Sequence, residues 1–289
     1  MKPSVSLIVL TFNEEKNLPR CLESVKDLAD EIFVVDSYSE DKTVGIAEKF
    51  GAKVFQRDFI NQAEQFNWAL DNLLITSDWI LRLDADECLM PELRDEIAEV
   101  LPEAPSEITG FYIKRRVYFL GRWIKHGGYY PTWFLRLWRK GAARIEEREV
   151  DEHTVLLKGR AENLKNDFVD DSRNGLDAWT EKINDYTSRE VKERIKKNAR
   201  EMALGNNQAA KKRWLRQNIY YRLPLFCRAF LYFFYRYFVR LGFLDGKEGL
   251  IFHFLQGCWN QFLVDAKLYE YELRRKRGSG EENNQRFLE

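Results

Sequence analysis

The sequence has few cysteines, no excess of either charge and no long apolar run at its start, and each absence argues against a class of protein. Its four cysteines among 289 residues stand far apart and form no Cys-x-x-Cys pair, so neither a zinc site nor a disulfide framework is indicated. The 46 basic and 46 acidic residues cancel, so no overall positive field favours nucleic acid. The apolar run at residues 5–10 is too short for a signal peptide. We therefore expect a folded protein that stays in the reducing cytoplasm.

The balanced charge conceals a division along the chain. Residues 1–187 hold 25 basic and 35 acidic residues, whereas residues 188–289 hold 21 and 11. An acidic front half is thus joined to a basic back half. This asymmetry favours contact of the C-terminal part with a membrane or another polyanion.

The first ninety residues alternate between short apolar runs and amphipathic segments. The predicted strands are residues 5–10, 31–35, 52–55 and 79–83, and the predicted helices are residues 14–26, 41–50 and 62–74. This alternation predicts an α/β fold with a mostly parallel sheet and helices on both faces. In such sheets ligands bind at the carboxyl ends of the strands, where this sequence has the polar residues 11–13, 36–41 and 84–87.

The remainder of the chain has a different pattern of apolar and polar residues. From Gly110 the pattern predicts antiparallel structure with long loops, and from Leu176 to about Arg275 it predicts helices rich in Lys and Arg. Residues 278–289 are expected to form a mobile tail.

Asp84 and Asp86 form the sharpest local signal. Two carboxylates that follow a buried strand can reach one hard cation and leave open positions for phosphate oxygens. An Asp-x-Asp pair alone favours a solvated acidic loop, and its context reverses that preference. Here an apolar strand opens into three carboxylates within four residues, an arrangement that is costly unless a cation or ligand neutralises them.

Three segments in order, SLIVLTFNEEKNLPRCLESV (6–25), EIFVVDSYSEDKT (31–43) and DWILRLDADE (78–87), resemble the family 2 inverting glycosyltransferases of the GT-A fold. The resemblance implies a nucleotide-diphosphate sugar as donor, with UDP favoured, and a divalent cation, manganese or magnesium. It implies a base and ribose pocket formed by Thr11, Phe12, Asn13 and Glu14, with Asp36 at the base edge and Ser39 and Asp41 shaping that loop. It also implies that Asp84 faces the ribose or the metal and that Asp86 is the main metal ligand. Helix capping is the alternative role for Asp36 and Asp41.

An inverting transfer also needs a general base beside the acceptor hydroxyl. The segments Leu135-Arg136-Leu137-Trp138 and Asp151-Glu152-His153 resemble those of a subgroup of the family that acts in lipopolysaccharide-core and exopolysaccharide synthesis. We expect Asp151 or Glu152 to be the base, and His153 to be its orienting partner or a third metal ligand. The alternative is a charged surface strand.

An aromatic, glycine-rich stretch follows the predicted parallel strands. Trp123, Tyr129, Tyr130 and Trp133 alternate there with glycines and a proline, and aromatic faces stack on sugar rings. We expect this loop as a whole to bind the acceptor, although core packing explains single aromatic residues equally well.

The C-terminal part contains an aromatic block at residues 219–243. Its arginines argue against a membrane-spanning segment and favour a helix in the headgroup region of an anionic membrane. The residues assigned to this surface are Lys211, Lys212, Arg213, Trp214, Arg228, Arg236 and Arg240. The alternative is a helix packed on the catalytic domain or in a homodimer.

The resemblance thus predicts a catalytic domain at residues 1–175, with the nucleotide sugar at residues 1–100 and the acceptor at residues 101–175, and a helical membrane-surface region at residues 176–277. The expected reaction is sugar transfer to a lipid-linked glycan or lipopolysaccharide core at the inner face of the cytoplasmic membrane. Polyprenyl phosphate is an alternative acceptor, and a catalytically dead, membrane-associated scaffold is the alternative of another class.

Overall fold

The computed structural model describes residues 3–148, 152–196 and 208–277. Within these residues the strands are β1 (Val5–Thr11), β2 (Glu31–Asp36), β3 (Lys53–Gln56), β4 (Trp79–Asp84), β5 (Glu87–Leu89), β6 (Ile108–Phe119), β7 (Arg122–Trp123), β8 (Trp133–Arg139), β9 (Ala143–Ile145), β10 (Thr154–Leu156) and β11 (Arg160–Asp170). The helices are α1 (Leu18–Val25), α2 (Thr43–Lys49), α3 (Gln62–Asn72), α4 (Pro91–Glu103), α5 (Gly175–Lys196), α6 (Gln208–Asn218), α7 (Cys227–Phe234), α8 (Gly246–His253) and α9 (Asn260–Lys276).

The central sheet has two halves. Strands β3, β2, β1 and β4 lie side by side and pair in parallel, as the alternation of strands and helices predicts. Beyond β4 the order continues with β8, β6, β11 and β5, and this half mixes antiparallel and parallel pairs. Strand β7 pairs antiparallel with the end of β6, and β9 pairs with β10 in a separate small sheet. The predicted α/β class is confirmed. The predicted change to antiparallel pairing after Gly110 is present in β6 and β8.

The sheet is buried on both faces, which explains why its first strands are apolar at nearly every position. On one face Leu7, Leu81 and Trp79 pack with the apolar sides of α1 and α4. On the other face Ile8 and Ile80 pack with the apolar side of α3. These two cores hold the carboxyl ends of β1, β2 and β4 at one edge of the sheet.

The structure corrects the start of the first helix. Helix α1 begins at Leu18 and not at residue 14, because residues 14–17 form a turn in which the Glu14 carbonyl accepts hydrogen bonds from the amides of Asn17 and Leu18. Pro19 lies in the first helical turn, where a missing amide proton costs nothing. Glu14 is therefore a loop residue. Strand β5 and helix α4 were not among the predicted elements.

The C-terminal helices pack on each other and on the sheet. Helix α9 packs against α5, and Phe252 of α8 contacts Phe119 of β6 with ring centroids 5.2 Å apart. A π-helical turn, Phe254–Trp259, joins α8 to α9, so one helical rod extends from Gly246 to Lys276. Across the described ranges, every helix is too short or too polar to cross a bilayer.

Two of the predicted membrane contacts are wrong. Arg228 is 3% exposed and forms an ion pair with Asp265 of α9, and Arg236 is 5% exposed and donates a hydrogen bond to the Gly127 carbonyl. Buried guanidinium groups that already have protein partners do not reach lipid headgroups. Lys211, Lys212, Trp214 and Arg240 are exposed, and the side chain of Arg213 lies outside the described atoms.

Candidate active site

The ends of three parallel strands meet at one point of the sheet edge. Thr11 pairs in register with Asp36, and Leu10 pairs with Asp84. The Thr11 hydroxyl donates to the Asp36 carboxylate at 2.9 Å, which fixes β1 and β2 at their ends. The predicted convergence of polar residues at this edge is therefore present.

Asp36 is fully buried and orders the loop that follows β2. Its carboxylate accepts hydrogen bonds from the Ser39 amide at 2.8 Å and the Ser39 hydroxyl at 2.5 Å. The Ser39 hydroxyl in turn accepts from the Asn13 amide at 2.8 Å, which ties the loops after β1 and β2 together. Phe12 lies on the same loop and is 59% exposed. Asp36 thus acts as an internal anchor here, while its contact with a nucleotide base stays a prediction.

Asp41 lies just before α2, whose N-cap residue is Lys42, and its carboxylate joins the start of that helix to the loop after β1. One carboxylate oxygen accepts from the Thr43 amide at 2.9 Å, at the start of α2, and the other accepts from the Glu15 amide at 3.1 Å. These amide hydrogen bonds, with that of the Thr43 hydroxyl, outweigh the desolvation of Asp41 and lower its pKa.

Asp84 stands between groups from three elements. Gln62 of α3 donates to one of its oxygens at 3.1 Å, and Arg136 of β8 donates to the other at 3.2 Å. Desolvation alone would raise the pKa of Asp84, but the positive charges of Arg136, Arg82 and Lys182 outweigh it and lower the pKa to about 2. Asp84 is therefore ionised at neutral pH.

The Asp86 carboxylate has fewer described contacts than that of Asp84. The contact described for its carboxylate is an ion pair with Lys182 of α5, with Nζ and Oδ2 3.6 Å apart. The Asp86 carboxylate raises the pKa of Lys182, whose side chain is 70% exposed. Nothing in the sequence singled out Lys182, because the fold brings it to this edge from a distant helix.

Further acids surround this pair. Desolvation raises the pKa of Asp170 to about 6, although Arg115 lies 3.2 Å from it. Desolvation and the charge of Asp86 also raise the pKa of Glu14. Several carboxylates close together in a partly buried site are characteristic of a place that can receive a cation.

The two aspartates fit an open cation site. Within residues 3–148, 152–196 and 208–277, no three His, Cys, Asp or Glu side chains are arranged as a closed metal cage. Two carboxylates at a strand end leave the remaining positions of a hard cation for phosphate oxygens and water. Asp84 and Asp86 have this donor chemistry, and the exposed Lys182 adds a positive charge beside Asp86.

Glu152 lies close to the same edge. Arg82 of β4 is 5% exposed, and its guanidinium lies 3.6 Å from the Glu152 carboxylate and 3.9 Å from that of Asp84. Arg82 thus links the predicted base to the predicted donor site. The backbone carbonyl of His153 accepts from the Glu146 amide at 2.8 Å. Asp151 lies outside the described residues.

The four aromatic residues of the predicted acceptor loop divide into two groups. Trp123 and Tyr130 contact each other edge to face, with ring centroids 5.1 Å apart, and Trp133 lies in the neighbouring strand β8. Tyr129 instead packs against Phe252, at 4.7 Å, and under the Arg236 guanidinium, at 3.8 Å. Tyr129 therefore joins the loop to the C-terminal helices, which is the packing role that the sequence left open.

Comparison with known proteins identifies the family. The model of glycosyl transferase family 2 matches residues 6–156, which include every strand end described above. The chain belongs to glycosyl transferase family 2. The predicted family is thereby confirmed.

Relatives of this family 2 chain share its length to different degrees. A glycosyltransferase of unknown function from Rickettsia prowazekii is 27% identical over 93% of this chain and 88% of its own length. The lipopolysaccharide core biosynthesis glycosyltransferase LpsC of Rhizobium meliloti is 28% identical over 57% of this chain and 61% of LpsC. Four other Rickettsia glycosyltransferases match over about a third of their length, the one from Rickettsia bellii with 46% identity over 32% of this chain.

Two solved structures resemble the fold over most of the chain. S. aureus TarS, in complex with UDP-GlcNAc, superimposes with a TM-score of 0.51 and 18% identity, covering 92% of each chain. The mannosyltransferase PcManGT of Pyrobaculum calidifontis, in complex with GDP-Man and Mn2+, superimposes with a TM-score of 0.54 and 14% identity, covering 92% of this chain and 86% of PcManGT. These likenesses confirm the GT-A fold class of the family 2 chain.

Proposed function

We propose that this chain is an inverting, metal-dependent glycosyltransferase that moves a sugar from a nucleotide-diphosphate sugar, UDP being favoured, to a lipid-linked glycan or lipopolysaccharide core at the inner face of the cytoplasmic membrane. The observation that carries the proposal is the link from Asp84 through Arg82 to Glu152 at the carboxyl edge of the sheet. It joins a cation-binding pair to a carboxylate that can accept a proton.

In this proposal the donor lies along the ends of β1, β2 and β4. Thr11, Phe12, Asn13 and Glu14, together with Asp36 and Ser39, form the base and ribose pocket. Asp84 and Asp86 hold the divalent cation, which when bound neutralises the diphosphate leaving group. Both TarS and PcManGT bind a nucleotide sugar, and PcManGT also binds Mn2+, which supports this choice of donor and cation.

Glu152 is the proposed general base. The oxygen of the acceptor hydroxyl forms a bond to the anomeric carbon as the bond from that carbon to the diphosphate breaks, and the hydroxyl proton passes to the Glu152 carboxylate. Negative charge grows on the leaving diphosphate. The ammonium of Lys182, which forms an ion pair with Asp86, is placed to stabilise that charge. Asp151 stays the alternative base, and His153 the orienting partner or third ligand.

The C-terminal helices are proposed to lie on an anionic membrane. Large apolar side chains are exposed along α7 and the rod that packs against it, and aromatic contacts connect them, such as Phe230 with Phe262 at 6.0 Å. The exposed set includes Phe230, Leu231, Phe234, Phe238, Val239, Leu250, Ile251 and Phe254. Exposed Lys211 and Lys212 lie on α6, which precedes α7. Apolar surface beside positive charge is typical of a helix that rests in the headgroup region.

The donor and cation roles are tested by binding measurements. We expect UDP or another nucleoside diphosphate to raise the unfolding temperature in the presence of Mn2+ but not in EDTA, because only ligands that bind the native state do so. Asp86→Ala should abolish this shift and sugar transfer, whereas Asp95→Ala, on the exposed side of α4, should retain both. Normal turnover by Asp86→Ala would refute the metal role, and no shift with any nucleotide would favour the catalytically dead scaffold.

The base is tested with a conservative substitution. Glu152→Gln keeps the shape but removes the proton acceptor, so transfer to a hydroxyl should fall about 100-fold or more while nucleotide binding is unchanged. Full activity of Glu152→Gln would move the role to Asp151. Full activity of Asp151→Asn combined with Glu152→Gln would favour polyprenyl phosphate as acceptor, because a phosphate needs no base.

The membrane contact is tested by flotation with vesicles that contain anionic lipid. Truncation is unsuitable because α9 packs on α5 and Phe252 on Phe119. Phe234→Ser combined with Phe238→Ser should weaken binding about 30-fold. Burial of the two rings in the membrane contributes roughly 2 kcal/mol to the free energy of binding. Leu74→Ser combined with Leu157→Ser removes exposed apolar groups elsewhere and should leave binding unchanged. Equal binding by both double variants would refute the proposed surface.

A further inference from the structure

A cluster of positive charges rests on the aromatic rings of the acceptor side. The Lys114 ammonium lies over the rings of Trp133, at 5.6 Å, and Tyr130, at 6.0 Å. The Arg116 guanidinium lies 4.7 Å from the Trp123 ring, and the Lys125 ammonium lies 5.4 Å from the same ring. We call Lys114, Arg116, Lys125, Trp123 and Trp133 the basic aromatic cluster.

The charges of this cluster are not balanced by its described neighbours. Asp167 is buried and accepts from Arg116 through Nε, from Lys114 and from the Tyr130 hydroxyl. One carboxylate therefore faces two positive groups, Lys114 and Arg116, and the exposed Lys125 adds a third charge to the cluster. Lys114 and Arg116 have lost most of their solvent, with 18% and 26% of their side chains exposed. Partly desolvated cations in excess over acids are stabilised by binding an anion.

The basic aromatic cluster lies on the side of the sheet that carries Glu152. Tyr112 of β6 packs in the same core as Ile80, and Lys114 and Arg116 follow Tyr112 at two-residue intervals, so they point to the same face. Arg82 follows Ile80 at the same interval and contacts Glu152. An acceptor whose hydroxyl reaches Glu152 can therefore extend across the face where the cluster lies.

The cluster differs in chemistry from the donor site. The donor site contains Asp84 and Asp86, with Glu14 and Asp170 near them, and this group of carboxylates favours a cation. The basic aromatic cluster has the opposite charge and adds flat apolar faces that suit a sugar ring. The two sites therefore suit different parts of the reaction, the cation-bound diphosphate on one side and an anionic sugar on the other.

We propose that the acceptor glycan carries an anionic group, a phosphate or a carboxylate, which Lys114, Arg116 and Lys125 bind while Trp123 and Trp133 contact its sugar ring. This inference rests on the proposed function and names the acceptor class of that site. Arg116 donates to Asp167 through Nε, and the terminal N–H groups of its planar fork are further donors that suit an oxyanion.

The test compares matched sugars by calorimetry on the full chain, with and without saturating UDP and Mn2+. Glucose 6-phosphate and glucuronate are titrated against glucose, so that each pair differs in one anionic group. We expect at least one anionic sugar to bind about tenfold or more tightly than glucose, and the preference to weaken as salt is added. A larger preference for glucose 6-phosphate identifies phosphate as the recognised group, and a larger one for glucuronate identifies carboxylate.

Two double variants with the same loss of charge complete the experiment. Arg116→Gln combined with Lys125→Gln should abolish the preference, whereas Lys158→Gln combined with Arg160→Gln, exposed at the opposite end of the sheet, should retain it. Equal binding of neutral and anionic sugars, a preference that survives in the first variant, or no anionic binding up to about 10 mM would each overturn the inference. UDP binding in the same titrations tests the proposed function separately, because neither variant alters the donor site.

Discussion

Arg136 connects the fold to the site, and its removal gives the sharpest test of the structure. Its guanidinium is 4% exposed and donates to Glu87 at 2.5 Å and to Asp84 at 3.2 Å, while Glu87 is 1% exposed. Arg136→Met keeps the apolar volume beside Phe134 and Phe168 but leaves the Glu87 carboxylate buried without its positive partner. Breaking a buried pair from one side costs about 3–5 kcal/mol.

The expected loss can be read from thermal and urea unfolding. For a chain of this size about 1 kcal/mol lowers the midpoint by roughly 2–4 °C, so Arg136→Met should unfold about 6–20 °C below the parent. Burial raises the pKa of Glu87 and the charge of Arg136 opposes that rise, so a Glu87 freed from Arg136 accepts a proton at neutral pH. Adding Glu87→Gln to Arg136→Met should therefore restore much of the stability.

The control is an ion pair of similar geometry at the surface. Arg144 binds both oxygens of Asp71 at 2.7 and 2.8 Å, but its side chain is 40% exposed. Arg144→Met should cost about 0–1 kcal/mol, because solvent screens the pair. If Arg136→Met costs no more than Arg144→Met, the reasoning about the buried network is wrong.

Three further predictions concern single groups. Asp84 has a pKa of about 2 against an ordinary 3.8, so its contribution to stability is present above pH 4 and lost as the pH falls toward 2. In urea titrations the difference in free energy of unfolding between the parent and Asp84→Asn should therefore shrink by about 1–2 kcal/mol over that interval. Gly127 has a φ of +68°, and a Cβ there would lie 2.1 Å from the His253 ring, whereas Gly121 has a φ of +79° and open surroundings. Gly127→Ala should therefore cost about 1–3 kcal/mol more stability than Gly121→Ala, and equal unfolding midpoints would contradict this. Burial and the charge of Arg236 lower the pKa of His253 to about 4, so its ring resonance should titrate well below pH 6.5 in NMR spectra, and a midpoint at 6.5 or above would show that the ring is solvated.

Much of the parallel half of the fold was accessible from the sequence. Residues 5–10 and 79–83 are apolar at nearly every position because both faces of their strands are covered, and polar residues follow each strand directly. Since parallel strands end at one edge, the convergence of Thr11, Asp36 and Asp84 followed from strand order alone. These are local patterns, and each needs only the few residues around it.

The remaining features depend on contacts between distant segments. Strand β5 has three residues, too few to show a period, and it exists because it pairs with β11. Lys182 reaches Asp86 only because α5 passes the sheet edge. Arg82 belongs to an otherwise apolar strand, and its contacts with Asp84 and Glu152 follow from the fold alone. Hydropathy patterns contain no information about such partners.

Charge was the property that the sequence alone described least well. The positive C-terminal segment suggested a membrane contact for Arg228, Arg236 and Arg240, yet Arg228 pairs with Asp265 and Arg236 covers Tyr129, both inside the protein. The amino acid sequence by itself determined the family, the strand order of the donor half and the residues at its edge, because these follow from local hydrophobic periods and motifs. Only the tertiary structure decided which charges are buried, paired or free to meet a ligand, because a charge is neutralised by whatever lies within a few ångströms of it and not by its neighbours in the chain.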